Sequence, residues 1–515
     1  MAVSNLATNQ HQLVPIRDYG FQKGYNDTLP PEQVPPGYLA DAQNCFIRTQ
    51  EIVKRNGYQR LGTDIGVSHP CQGMKGFRLA NGTKYLLAVF NGSIYYYTGS
   101  GNLTLATNGS AVLSTTAQVW IEIANNNAYF FDGTSTVVKF DGSAVSAVSA
   151  IPKGTGARWF HNILCVWGIS GTPNNMQLSD LGNPENFSTG IATTVGINPN
   201  DGDFIVTTEP FSDSTTTDVL MIFKQQSIWS LGGFSTSSLT VSNLGKRFPT
   251  GCMALKGTVN TGSEVLYLAF RGDIPHIRSA KRTIYGGIVD GGIRTQDIET
   301  TMKGLNFSAL NVSCAIFDGR NVWFNLADGS STTNNFVIML DTVTNGWVHH
   351  NGINAADMCV FLLNNSPQIF FGEAGNTARA YQFGNFTSDD GNAISFSITT
   401  RRYGLNIPEV VKKWRYLYIA PKETGNYNLT IDFSSDGFTY QNLTTMNLAG
   451  EGSMLDSLIL DTSRLGSTDV HRRRFSFANL NSYYLQLHMY ETSTISSVNL
   501  RDWELLYFAR HWRRA

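Results

Sequence analysis

Residues 85–99 read YLLAVFNGSIYYYTG, and the same grammar returns at 127–142 as NAYFFDGTSTVVKFDG, at 315–329 as AIFDGRNVWFNLADG and at 368–385 as QIFFGEAGNTARAYQFGN. Each stretch sets β-branched and aromatic residues beside an Asn-Gly, Asp-Gly or Gly-Asn turn. Such side chains fit a pleated, half-buried surface, and the turn pairs supply the positive φ angles of a tight hairpin. A chain built almost wholly of hairpins buries sheet on sheet, which predicts an all-β protein. It also argues against architectures that use helix N-termini to hold phosphates or cofactors.

Between about 70 and 388 seven such segments follow one another at loose intervals of roughly 40 residues, the length of a four-stranded propeller blade. The expected fold is therefore a six- or seven-bladed β-propeller over 61–388. Residues 1–60, with Pro pairs at 30–31 and 35–36, read as an extended N-terminal arm and first hairpin, because Pro fixes φ and excludes helix. After Asp389-Asp390-Gly391-Asn392, residues 389–515 alternate apolar and polar positions and predict a C-terminal β-sandwich. Helix is expected only as short turns within 275–305 and 451–465.

The 515 residues are enough for two or more domains, and charged residues make up only 15%. Gly, Asn, Ser and Thr take the place of charge, which is the vocabulary of turns and exposed strand faces. A net charge of -1 offers no global attraction to nucleic acid or to an acidic membrane. No basic start followed by an apolar stretch marks a signal peptide, and no apolar run approaches the roughly 18–20 residues of a membrane-spanning helix. Synthesis in the cytoplasm is expected. The six cysteines are widely spaced without a CxxC pair, so they read as buried thiols.

Arg271-Gly272-Asp273 reads as a hairpin turn, and Asp132, Asp141 and Asp318 as turn aspartates in Phe-Asp-Gly phrases. The adjacent His349 and His350 point to opposite faces of a strand and do not converge on one ion. No nucleophile elbow, P-loop, dinucleotide or zinc-protease motif occurs, and the 39 acidic residues give no means of pairing two across a cleft. The expectation is no catalytic residue, no metal, no cofactor and no enzymatic activity. The candidate partner-docking residues are basic: Arg401, Arg402, Lys412, Lys413, Arg472, Arg473 and Arg474, with Arg513-Arg514 at the end. Alternation splits each pair between two sheet faces.

The phrase PPGYLADAQNCFIRTQEIVKRNGYQRLG at 35–62 resembles the opening of many phage virion proteins, with Gly37-x-Leu39-x-Asp41-Ala42-x-Asn44 ahead of a hairpin and an Arg55-x-Gly57-Tyr58 turn. The later run from 317 to 383 resembles the β-propeller tail-hub or nozzle (tail tube) proteins of short-tailed bacteriophages. That resemblance implies a virion structural protein of the tail, made in the host cytoplasm. It implies a homohexameric ring below portal and adaptor proteins, bearing tail fibres or spikes, whose lumen retains and conducts viral DNA non-specifically. It carries over no catalytic residues. The other reading of the same blades is a carbohydrate-binding or carbohydrate-cleaving propeller, since aromatic blade rims suit sugar rings.

Overall fold

The computed structural model describes residues 13–19, 22–49, 51–212, 218–234, 239–245, 248–283, 287–363, 366–404, 409–422, 424–449, 472–495 and 497–509. It is all-β, with one α-helix of six residues, Glu299–Gly304, among the described elements. That helix falls inside 275–305; the stretch 451–465 lies outside the described residues.

Contacts divide the chain into two units, one of Tyr58–Ile338 with Gly352–Gly384, the other of Met1–Gly57, Met339–Asn351 and Asn385–Ala515. The sequence division at 60 and 388 follows chain order, whereas the structure places the N-terminal segment in the same unit as 385–515.

The first unit is a β-propeller. Among the described residues, six sheets of four strands are complete blades. Their inner strands are Cys71–Arg78, Trp120–Ala124, Gly156–Phe160, Ile205–Ser212, Thr258–Asn260 and Ala355–Phe361. Between the fifth and the last, Cys314–Phe317 takes a further place in the ring, its sheet having nine strands rather than four. Each inner strand packs beside the next, and Ala355–Phe361 packs against Cys71–Arg78 to close the circle. The last blade borrows its outer strand, Gly57–Arg60, from the start of the chain.

The turns show why these residues make hairpins. Phe90 pairs with Ser93 around Asn91 (φ 50°) and Gly92 (φ 68°), a two-residue turn with both central angles positive. Arg271 pairs with Ile274, so Gly272-Asp273 is the turn expected of that triplet. The core lies between blades, where one face of a sheet covers its neighbour. Trp167 is fully buried with Leu164, Val166, Ile222 and Leu231, and Trp120 meets it edge to face at 5.4 Å. Full burial of such side chains stabilises by roughly 1.5–3 kcal/mol each.

In the second unit a sandwich built of 389–515 alone is not confirmed, because N-terminal strands take places in both of its sheets. Residues 389–515 do not complete their own sheets. In one sheet Asn499–Ala509 pairs with Lys412–Pro421, with Val14–Tyr19 and with Glu51–Lys54. In the other, Leu39–Gln43 pairs with Phe396–Thr400, which continues to Leu485–Glu491, Asn428–Ser435 and Gln441–Asn447. The physical reason is in the arm itself: Ile47 and Ile52 are strand-forming, bury to 1% and 0% exposure, and need partners for their backbone groups. The Pro pairs open two tight turns, with Gln33 N–H donating to Pro30 O and Tyr38 N–H to Pro35 O, rather than a straight arm.

Candidate functional site: the propeller channel

The turn aspartates are satisfied locally. Burial would raise Asp132, but backbone N–H groups of Ser114, Thr134 and Ser135 outweigh it and hold the carboxyl below its usual range. Asp141 is held low by the N–H groups of Ala144 and Ser143, and Asp318 accepts from Arg320 N, Asn321 N and Trp323 Nε1. His349 Nε2 lies 2.7 Å from Asp41 Oδ1, while His350 is fully buried against the Phe46 ring, its pKa pushed well down by desolvation. All six cysteines are buried thiols.

The basic candidates do not form one patch of free cations. Arg401 stacks on Tyr403 at 5.0 Å, and Arg402 donates to Glu32 at 3.1 Å. Lys412 is buried, its ammonium donating to Val410 O and Tyr483 O, with Lys413 next to it on the same strand and half-buried. Arg472 pairs with Asp502 and Glu504 at 3.0 and 2.9 Å. Arg473 donates to the carbonyls of Asn447 and Ala449, and Arg474 lies 5.0 Å over the Tyr416 ring. Arg513-Arg514 falls outside the described residues.

A different set of charges converges where the propeller's inner strands meet. Lys75, Glu122, Arg158, Glu209, Lys256 and Asp357 come from six successive places around the ring, skipping only that of Cys314–Phe317, and their signs alternate. Lys75 Nζ is 3.8 Å from Glu122, Arg158 Nη2 is 2.9 Å from Glu209, and Lys256 Nζ is 2.5 Å from Asp357. Where the seventh strand passes, the lining is apolar, with Ala315 and Phe317. The cavity bounded by these strands has a volume of about 360 Å³. A wider cavity of about 800 Å³ lies at the N-terminal ends of the inner strands, with Phe204 and Phe307 exposed on its lining beside Gln118, Gln225 and Asn311.

Each carboxylate is also held by neutral donors. Glu122 accepts from Trp120 Nε1 and Trp159 N, at 3.3 and 3.0 Å. Asp357 accepts from Met74 N and Met358 N, at 2.7 and 2.9 Å. Arg158 lies 5.0 Å over the Trp120 ring and donates to Thr208 O, while its Nε–H is buried without a partner among the described residues. Burial pushes the Glu209 carboxyl up, against the pull of Arg158 and Lys75. A carboxyl held toward its neutral form can donate a proton or a hydrogen bond.

Sequence reading named none of these six. Five of them lie on inner strands, as in WIEIA or AADMCVF, and Lys256 lies two residues before Thr258–Asn260; a single charge in a short strand carries no signal in the sequence of its own.

No protein-family model matches the chain, and no curated protein matches it in sequence. Among solved structures, the protein YCF48 bound to D1 peptide aligns at a TM-score of 0.40 and 8% identity, over 64% of this chain and 97% of that one. The exo-β-1,3-galactanase of Phanerochaete chrysosporium aligns at 0.26 and 13%, over 88% and 100%. A family 43 arabinoxylan arabinofuranohydrolase from Bacillus subtilis aligns at 0.27 and 10%, over 88% and 99%. The expectation of no enzymatic activity is not upheld: it rested on missing motifs and on carboxylates that could not be paired, and the structure brings Glu122, Glu209 and Asp357 together around one channel.

Proposed function

We propose that the propeller is a carbohydrate-binding module whose channel takes a hydroxyl-rich ligand, with Glu209 as the group able to protonate a glycosidic oxygen. The observation that carries this reading is the charge-balanced ring. Three cations and three carboxylates cancel, so the site offers dense donors and acceptors without net attraction to an ion. Exposed aromatic faces at Phe204 and Phe307 in the wider cavity supply stacking surface for sugar rings. A glycan array followed by a hydrolysis assay tests it. Binding to a defined glycan, weakened at least tenfold in Arg158→Met, is the expected result. An array without a hit for the folded wild type would remove the reading.

A second reading is a virion structural protein, a subunit of a homohexameric tail nozzle that docks portal or adaptor proteins and fibres or spikes and lets viral DNA pass. What favours it is the phrase at 35–62 and the density of fold-specifying contacts on that phrase. Asn44 sits at φ 52° and its side chain accepts from Arg55 Nε; the Arg55 guanidinium is buried against Asp389 and the carbonyl of Asn351. A Cβ on Gly57 would stand 2.0 Å from Ser388 O. The phrase is thus a structural keystone, and a resemblance through it concerns more than composition. Mass photometry and proteomics of purified particles check the reading. A monomer absent from particles would rule it out.

A further inference from the structure

The six channel charges are not equivalent. Asp357 has a lysine and two backbone N–H groups, and Glu122 has a lysine, an indole N–H and a backbone N–H. Glu209 faces Arg158 from Gly156–Phe160, Lys75 from Cys71–Arg78, the like-charged Glu122 from Trp120–Ala124 and the Thr258 hydroxyl from Thr258–Asn260. Lys256 and Asp357 are occupied with each other. Arg158, which lines the same cavity, moreover keeps one buried N–H, at Nε, without an acceptor among the described residues. A guanidinium bound at Nη2 and unsatisfied at Nε has half of the fork that grips a carboxylate in bidentate fashion.

We propose that this channel is an acid-gated site for a small carboxylate ligand, a uronic acid residue in a glycan, in which protonation of Glu209 transfers Arg158 from its internal partner to the ligand. The charge count gives the direction. With all three carboxylates ionised the ring sums to zero and an entering anion must compete with Glu209 for Arg158. With Glu209 neutral the ring carries one excess positive charge, and the ligand carboxylate replaces the lost negative one. Burial already favours the neutral form of Glu209, so the proton is taken up above the usual carboxylate range. The inference rests on the channel being the ligand site, but not on the ligand being a neutral sugar.

Calorimetry on the full chain between pH 7.5 and 5 tests it, with methyl β-D-glucuronide, methyl β-D-glucoside and acetate as probes. The glucuronide's own carboxyl, at about 3.5, stays ionised throughout. The expected result is glucuronide affinity that rises up to about tenfold per pH unit while Glu209 titrates, with one proton taken up per ligand bound. Glu209→Gln, neutral at every pH, should bind glucuronide at least as tightly as wild type at each pH tested, without pH dependence. Should that variant not fold, proton uptake by wild type, read from two buffers of different ionisation enthalpy, decides alone. Affinity independent of pH in wild type, or no binding of any anionic probe, overturns the proposal. Glucoside binding without a glucuronide response keeps the carbohydrate reading and removes this one. Acetate binding with proton uptake while neither sugar binds keeps the acid gate and removes the carbohydrate reading; glucuronide binding without glucoside binding supports both.

Discussion

Lys412 shows how a residue that looks like surface charge in the sequence becomes a buried fastening. It opens the strand Lys412–Pro421, its side chain is buried, and its ammonium donates to the carbonyls of Val410 and Tyr483 at 3.0 and 2.9 Å. Burial pulls its pKa down to about 8, with Glu409 and Asp436 opposing. Because the folded value lies below the unfolded one, the unfolded chain binds more protons between about 8 and 10.5, and folding stability gains as pH rises through that window. Below it both states carry the charge and the desolvation cost is felt in full. We predict that the stability of wild type relative to Lys412→Met increases from pH 7.5 to pH 10, by on the order of 2–3 kcal/mol. Urea unfolding of both proteins at the two pH values measures it, and a difference that stays flat or falls would contradict the assignment. Alternation along the strand placed Lys412 and Lys413 on opposite faces, but which face was inward depended on partners more than sixty residues away.

At the scale of the element, the two-residue turn decides whether a hairpin forms. Gly92 has φ 68°, and a Cβ there would stand 2.3 Å from Leu113 O, so Gly92→Ala combines an unfavourable backbone angle with a clash against main chain. A cost of about 2 kcal/mol or more is expected, measured as a shift in the denaturation midpoint at unchanged slope. Gly82 also has positive φ, 92°, but open space around it; its alanine variant should cost less. Glycine turns of this kind were legible in the sequence. Turns without glycine were not: Asn125-Asn126 and His161-Asn162 also make two-residue turns with both φ angles positive. Asn tolerates the left-handed region through local hydrogen bonding, but it is so frequent in this chain that its turns cannot be told from its exposed strand positions.

Over the whole molecule, what the sequence hid was long-range pairing. The repeat gave blades, because a blade is local. It could not show that Glu51–Lys54 pairs with Asn499–Ala509, or that six scattered charges meet around one channel. Both depend on closure, and in the propeller closure is made at one place. Gly57–Arg60 completes the sheet of Ala380–Phe386, and just beyond it Leu61 N–H donates to Ala380 O at 2.9 Å. The Leu61 side chain is buried in the cluster that joins the first and last blades, with Cys71, Met74, Leu86 and Phe370. Leu61→Pro removes the donor and most of the packing at once, and its ring cannot enter the ladder. Loss of a buried leucine and a backbone bond costs roughly 3–5 kcal/mol. In a closed ring that loss should first appear as local opening at the seam, since every other interface between blades keeps its own core. Hydrogen exchange should therefore quicken in Gln368–Glu373 and Cys71–Arg78 while Ile163–Trp167, within the separate core around Trp167, stays protected. Uniform quickening across all blades would instead mean that the ring unfolds as one unit and that the seam is no weaker than any other boundary.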